Sequence, residues 1–198
     1  RGVSWYIPAA MNSESLFPQT GTPGNDDLVS HYRKLWDGFL RELDSLTGGV
    51  ELFTESLYHL LEKYTWSIPS ATNDEEGDIS LFHHSVSTAA IALALKAAKG
   101  ENPDNPFLFF AADMSGIQNF IFHDAPNGSF KGSTRTIRGR SFYLAALGYV
   151  YSKALASAIG LPGFSQIVNA GGKMILLLPN TAQCKERLIQ FTRDMDQF

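Results

Sequence analysis

The stretch that decides the fold lies between Phe107 and Asn180 and comes in three pieces: Phe107-Leu-Phe-Phe-Ala-Ala-Asp-Met-Ser-Gly-Ile-Gln118, then Ile137-Arg-Gly-Arg-Ser-Phe-Tyr-Leu144, then Ile167-Val-Asn-Ala-Gly-Gly-Lys-Met-Ile-Leu-Leu-Leu-Pro-Asn180. The first piece reads as a short apolar strand, residues 107–112, that ends in an acid and a Ser-Gly turn. After it come one or two helical turns (116–122), a Gly/Ser/Lys loop (124–136) and a long helix (137–159). Leu161-Pro162-Gly163 turns the chain back. Residues 164–169 and 173–178 form a hairpin folding at Gly171-Gly172, since a Gly-Gly dipeptide between apolar runs is a strong hairpin signal. Pro179-Asn180-Thr181 then caps a last helix. The order is strand, helix, strand, strand, helix.

Working outward, the chain before Phe107 carries a helical pattern. Residues 1–25 are rich in Pro, Gly, Ser and Asn, with Phe17-Pro18 and Gly21-Thr22-Pro23-Gly24 as breakers, and read as extended loop. Asp26-Asp27 are expected to cap a helix with Leu28, Tyr32, Leu35, Phe39 and Leu43 on one face, ended by Gly48-Gly49. A second helix carries Leu52, Phe53, Leu57, Leu60 and Leu61; Ile68-Pro69 stops it, because a residue before proline is pushed out of the helical region. Asn73-Asp74-Glu75-Glu76-Gly77 is an acidic surface loop. A third helix, residues 80–98, packs through Ala89, Ala90, Ala92 and Ala94 and stops at Gly100. Asn102-Pro103-Asp104-Asn105-Pro106 is the best linker, which divides the chain into a helical part (1–100) and an α/β part (101–198). The fold class expected is α/β (α+β).

Composition narrows the partners. With 198 residues and 44% hydrophobic content the chain can bury one sizeable core, or a core plus a smaller helical appendage. A net charge of −4 provides no overall basic field, so contact with nucleic acid needs a local patch. The densest basic stretch is Lys131, Arg135, Arg138 and Arg140. A single cysteine, Cys184, excludes an internal disulfide and fits a reducing, cytoplasmic setting. No apolar run approaches the ~20 residues a bilayer demands, so no membrane partner is expected. The first residues, Arg1-Gly2-Val3-Ser4-Trp5, carry neither an initiator Met nor an apolar signal region, which reads as an internal piece of a longer protein.

The strand, Ser-Gly turn, helix and Gly-Gly hairpin share the layout of a nucleotidyl-cyclase or polymerase palm, a ferredoxin-like unit that needs one more strand than is present here. Catalytic palms hold metal ions on carboxylates at the first strand end and at the hairpin tip, and those ions clamp a triphosphate. Asp113 supplies the first carboxylate; Gly171, Gly172 and Lys173 stand where the hairpin acids belong. The chain more specifically resembles the large palm-domain subunit of type III-A CRISPR effector complexes. The resemblance rests on Glu62-Lys63-Tyr64-Thr65-Trp66-Ser67-Ile68-Pro69-Ser70, on Asp78-Ile79-Ser80-Leu81-Phe82-His83-His84 together with Thr88-Ala89-Ala90-Ile91-Ala92, and on the palm segments above. It implies that residues 1–100 are the C-terminal part of a permuted HD nuclease domain and 101–198 most of the first palm. It also implies a parent that, with target RNA bound, converts ATP into cyclic oligoadenylate and cleaves single-stranded DNA. The Gly-Gly-Asp-Asp motif belongs to a second palm. Implied partners are the other effector subunits, crRNA and target RNA, single-stranded DNA and ATP. Implied cofactors are Mg²⁺ or Mn²⁺ with ATP at the paired palms and a divalent transition metal at the HD site.

The expected nucleotide-binding residues are Asp113, Ser115, Gly116, Arg138, Arg140, Gly171, Gly172 and Lys173, and no catalytic residue is assigned within the chain. At Asp113-Met114-Ser115-Gly116 a strand end meets a helix start, where backbone N–H groups and the helix dipole favour phosphate. The plain alternative is that Asp113 and Ser115 merely cap the helix. Lys173 reads as a charge facing triphosphate or as a solvated turn lysine. Arg138 and Arg140 read as phosphate ligands or as charges used within the fold. His84 is, by resemblance, one HD metal ligand whose partners lie upstream of Arg1; alone it is a hydrogen-bonding residue. His123-Asp124 matches the HD letters only by coincidence. Two rivals stand beside this reading. One is a degenerate palm that only scaffolds a neighbouring subunit; the other is a stand-alone GGDEF-type cyclase, against which the missing hairpin acids argue.

Overall fold

The structure is a computed structural model that describes residues 4–21, 24–71, 77–122 and 130–195; for 130–133 the backbone alone is described. Asn73-Asp74-Glu75-Glu76 and His123-Asp124 lie outside these residues. The chain divides into two compact units, Arg1–Thr88 and Ala89–Phe198.

In the first unit, the segment read as loop forms a small antiparallel pair, β1 (Ser4–Trp5) and β2 (Gln19–Thr20). Helix α1 (Asn25–Leu43) begins after Gly24, which makes no side-chain cap; Asp26 and Asp27 sit inside the first turn. They favour the helix through its dipole rather than as caps. The helix also ends earlier than expected, at Leu43 rather than at Gly48-Gly49. Helix α2 (Val50–Thr65) starts after Gly49 and stops just before Ile68-Pro69. Leu35, Leu60 and Tyr64 are buried together, with Phe39, Leu43 and Ile68 against them. Across the α1–α2 seam, Lys63 Nζ donates to both Glu42 oxygens at 2.6 and 2.8 Å, and the Tyr64 hydroxyl donates to Oε1 at 2.8 Å. The Lys63 ammonium, then the Tyr64 hydroxyl, hold the Glu42 carboxyl below its usual pKa, and the same contact with Glu42 raises Lys63. The N-terminal segment is fastened to the end of α2 by Trp66 Nε1 donating to the Ala9 carbonyl at 3.0 Å. Helix α3 (Leu81–Ala98), within which the division between the two units falls, is opened by Ser80, whose hydroxyl accepts the His83 amide at 3.2 Å.

The second unit carries a three-stranded antiparallel sheet in the order β3-β5-β4, where β3 is Phe107–Asp113, β4 is Gln166–Ala170 and β5 is Lys173–Pro179. The central position of β5 accounts for its unbroken apolar run. It is paired on both edges, and Met174, Leu176, Leu177 and Leu178 are all buried. β3 alternates between exposed and covered positions, so Leu108, Phe110 and Ala112 reach the core while Phe109 stays 65% exposed. The strand expected over 164–169 starts later, because Gly163–Ser165 form a 3₁₀ turn.

Between β3 and the hairpin lie the short helix α4 (Ile117–Phe122) and the long helix α5 (Phe130–Ile159); α6 (Ala182–Met195) ends the unit. Two of these helices complete the core. α5 brings Leu155 and Ile159, and α6 brings Cys184, against Met174, Leu176 and Leu178. Tyr151 and Phe191 meet edge to face at 5.3 Å, joining the two helices. Burial pushes the Cys184 thiol up. Thr181 caps α6, its hydroxyl accepting the Cys184 amide at 3.1 Å, as expected from Pro179-Asn180-Thr181. Helix α5 begins at Phe130, seven positions before the expected start at Ile137, so residues 130–136 are helix rather than loop. Turn-type composition in this stretch is overridden by its continuity with a long helix whose far end is anchored in the core. Composition argues against a membrane span, yet Thr134–Ile159 meets the length and hydropathy of one. Its Leu155 and Ile159 sit in the core, and Arg135, Arg138 and Arg140 stand in its first turns. The linker residues are tied down within this unit: Asn102 Nδ2 donates to the Asn180 carbonyl at 3.0 Å, and Glu101 accepts the Ala182 amide at 2.9 Å.

Candidate functional site

The site is made by sheet register. β3 and β5 pair without interruption from Phe107 opposite Pro179 to Asp113 opposite Lys173, so the last strand residue and the first residue after the glycine turn are direct neighbours. The pairing is prolonged by one bond, Met114 N–H to the Gly172 carbonyl at 2.9 Å. Gly171 and Gly172 have φ of +60° and +82°, a left-handed pair that lets the chain reverse in two residues. A Cβ at Gly172 would run into Ile117 Cδ1, the tip of a side chain that can turn aside, whereas one at Gly171 would meet open space.

Behind this edge lies a cavity of about 230 Å³ lined by Asp113, Met114, Gly148, Tyr151, Asn169, Gly172 and Lys173, among others. Gly148 is buried on α5, and a Cβ there would press on Asn169 Oδ1 at 3.3 Å and Met114 Cε at 3.4 Å. The helix therefore comes close to the hairpin at this point. Asp113 and Lys173 are exposed, and among the described residues they form no ion pair with each other or with a third group. An unpaired acid and an unpaired cation on adjacent strands leave both charges available to a ligand. Lys173 can hold an anion. Asp113 can accept from hydroxyls, but one carboxylate beside an ammonium does not fit a two-metal centre.

The sequence expectations divide at this site. Asp113, Gly172 and Lys173 are brought together, with Gly171 in the turn beside them. Ser115 and Gly116 lie on the connection into α4; both are exposed, and Gly116 has φ +74° with open space around it. Neither Asp113 nor Ser115 makes a helix cap among the described residues. The dipole contribution expected here is small, because α4 has only six residues. Arg140 is used internally: its Nη1 donates to the Phe120 and Ile121 carbonyls at 3.1 and 3.3 Å, and the guanidinium lies over the Phe120 ring at 5.8 Å. It closes the end of α4. Arg138 is exposed two positions earlier and is not among the cavity residues. Sequence reasoning assigns no role to Met114, Gly148, Tyr151 or Asn169. Gly148, an isolated glycine in a helical pattern, is the signal that points to the close approach.

His84 is exposed in the first turns of α3, its amide bonded to the Ser80 carbonyl at 3.0 Å and its carbonyl to Thr88 Oγ1 at 2.8 Å. Among the described residues no group of three or more His, Cys, Asp or Glu could hold a metal ion.

A three-stranded antiparallel sheet in this order, with α5 and α6 packed against its central strand, is an α+β arrangement. A family model, Csm1 subunit domain B, matches residues 106–198. The chain is 33% identical over 162 residues to the "CRISPR system single-strand-specific deoxyribonuclease Cas10/Csm1 (subtype III-A)" of Streptococcus thermophilus, covering 73% of this chain and 21% of that protein. Among solved structures, a Csm1–Csm4 cassette in complex with AMPPNP is 29% identical, with a TM-score of 0.73 over 95% of this chain and 25% of that one. The same cassette in complex with cA4 gives 29% and 0.71, over 94% and 25%. The chain belongs to the type III-A CRISPR large-subunit family, and it spans about a quarter of the length of the relatives it matches.

Proposed function

We propose that this chain is the end of an HD domain (residues 1–100) joined to most of a first palm (101–198), and that the palm forms half of an ATP pocket. The observation that carries this is the unpaired Asp113–Lys173 neighbour pair at the Gly171-Gly172 turn, opening onto the cavity under Met114 and Gly172. Similarity to cassettes holding AMPPNP and cA4 supports the same reading. The parent would be a type III-A effector subunit that makes cyclic oligoadenylate from ATP and cuts single-stranded DNA. It would work in the cytoplasm beside a Csm4-type subunit, crRNA and target RNA. In the pocket Lys173 binds phosphate oxygens, Asp113 accepts from the ribose or orients water, and Ser115 and the Gly116 amide complete the polar rim. Arg140 contributes indirectly, by fixing the end of α4, and Arg138 stands outside the cavity lining.

The residues present do not fit the metals that such a parent uses. The pocket offers one carboxylate, opposite a cation, and His84 has no companion ligands among the described residues. Mg²⁺ or Mn²⁺ with ATP would therefore need carboxylates from other parts of the parent, and His84 would supply one imidazole to a transition-metal site whose other ligands lie elsewhere in the parent. Equilibrium dialysis of labelled ATP tests the pocket. Lys173→Met is expected to weaken binding by about tenfold, the scale of one charge-assisted hydrogen bond; unchanged binding favours the scaffold reading.

A further inference from the structure

The first unit carries a feature that the nucleotide pocket does not use. On α1, Val29, Tyr32, Trp36 and Leu40 recur at intervals of three, four and four residues and form one stripe, about 16 Å or three helical turns long. The stripe is open: Trp36 is 61% exposed, Val29 50% and Tyr32 41%. Beside it lies a cavity of about 450 Å³ lined by Tyr32, Trp36, Phe39, Leu61, Ile68 and Leu81, among others. Trp36 and Phe39 stack along one wall, their ring centres 6.1 Å apart. Two hydroxyls in the wall are used internally, Tyr64 donating to Glu42 at 2.8 Å and Thr65 to the Leu61 carbonyl at 2.7 Å. The groove therefore suits apolar side chains. Along one side of the stripe run Asp26, Asp37 and Asp44, at intervals of eleven and seven residues. All three are exposed, and among the described residues no cation pairs with any of them. Arg33 stands on the same side, while Lys34 and Arg41 lie further round the helix. Residues 1–88 as a whole carry thirteen Asp and Glu against five Lys and Arg.

We propose that this groove docks an amphipathic helix of another subunit of the effector complex, with its apolar side chains over Trp36 and Tyr32 and its Lys or Arg residues along Asp26, Asp37 and Asp44. An open apolar stripe of three turns beside a groove is the form that receives a helix of similar length. Charge selects the occupant. A second copy of this face would set acids against acids, whereas a basic helix is drawn to them. Trp, Tyr and Arg are the side chains on which separable interfaces depend, and Trp36, Tyr32 and Arg33 stand together here. Permanent cover by a neighbouring part of the same chain calls instead for an apolar surface without charges beside its anchors. The proposal rests on membership of a multi-subunit effector and not on the nucleotide pocket, whose lining shares no residue with this groove.

The test is hydrogen exchange of the full-length parent, alone and in the assembled effector. Exchange over Leu28 to Leu43 is expected to slow at least about fivefold on assembly. A labelled amphipathic peptide of about 18 residues, with leucines on one face and lysines on one flank, spans the stripe and serves as the probe in anisotropy with the same parent. Trp36→Ala is expected to weaken its binding by at least about tenfold, the scale of an aromatic anchor. Asp37→Lys should weaken this peptide and strengthen one whose lysines are replaced by glutamates, a reversal that misfolding cannot produce. Loss of an ATP response at Asp113 and Lys173 leaves this proposal intact, and failure of the groove leaves the pocket intact. Four results would each overturn it: α1 already protected to the same degree in the free parent, exchange unchanged on assembly, equal binding of the lysine and glutamate peptides, or self-association of the parent abolished by Trp36→Ala.

Discussion

Replacing Gly172 with alanine separates two costs that the hairpin turn places on one residue. At φ +82° an alanine is held in the left-handed region, at about 1–2 kcal/mol. Its methyl would also meet Ile117 Cδ1, the tip of a side chain that can turn aside, so the added cost is about 0.5–1.5 kcal/mol, the scale of one rotamer adjustment. Gly171→Ala is the internal control. Its φ is +60° but a Cβ there meets nothing, so only the first cost applies. The expected losses are therefore about 1–2 kcal/mol for Gly171→Ala and about 1.5–3.5 kcal/mol for Gly172→Ala. Trp5, Trp36 and Trp66 all lie in the first unit, so tryptophan fluorescence would not report on this hairpin. Native-state hydrogen exchange of the Met174 to Leu178 amides reads it directly. A double-mutant cycle with Ile117→Ala should recover about 0.5–1.5 kcal/mol of coupling. Equal costs at Gly171 and Gly172, or no coupling to Ile117, would refute the close approach of α4 to the turn.

Three further outcomes are expected. Glu42 has a lowered pKa, so its contribution to stability is present above the ordinary carboxylate range and is lost as pH falls through the folded value. The pair is partly exposed, so Glu42→Gln should remove no more than about 1 kcal/mol at neutral pH and nothing in strong acid, as read by urea unfolding monitored through Trp66. Labelled ATP with Mg²⁺ should yield no linear or cyclic oligoadenylate above a no-protein control, because the Gly171-Gly172-Lys173 turn lacks metal-binding acids; product abolished by Asp113→Ala would contradict this. The untagged chain should lose all transition metal on dialysis against chelator, since His84 alone offers one imidazole; stoichiometric retention would show a metal site that His84 alone cannot explain.

The elements are legible where one physical rule dominates. The apolar run from Met174 to Leu178 bounded by Gly171-Gly172 can only be a strand entering a tight turn, and Thr181 before a polar-apolar repeat marks the start of α6. Boundaries fail where two rules compete. Gly132, Ser133 and Thr134 look like loop residues, yet lie in α5, because a long helix anchored in the core carries poor formers with it. Asp26 and Asp27 read as caps and are first-turn acids, since composition marks a helix start only to within a residue or two. At the site, the strand end and hairpin turn can be named from the letters, but not that register sets Asp113 opposite Lys173. Arg140 reads as available to a ligand; its docking onto Phe120 and Ile121 depends on where α4 ends, which is a tertiary fact.

The central claim is that the two segments meeting at Asp113 and Lys173 form one nucleotide face, and backbone amide shifts on titration with ATP test it most directly. The account predicts coordinated shifts at Asp113 to Gly116 and at Gly171 to Lys173, saturating with a dissociation constant on the order of a millimolar, about 4 kcal/mol, as befits half a pocket. Shifts confined to Arg135, Arg138 and their neighbours, with Ser115 and Gly172 silent, would contradict it.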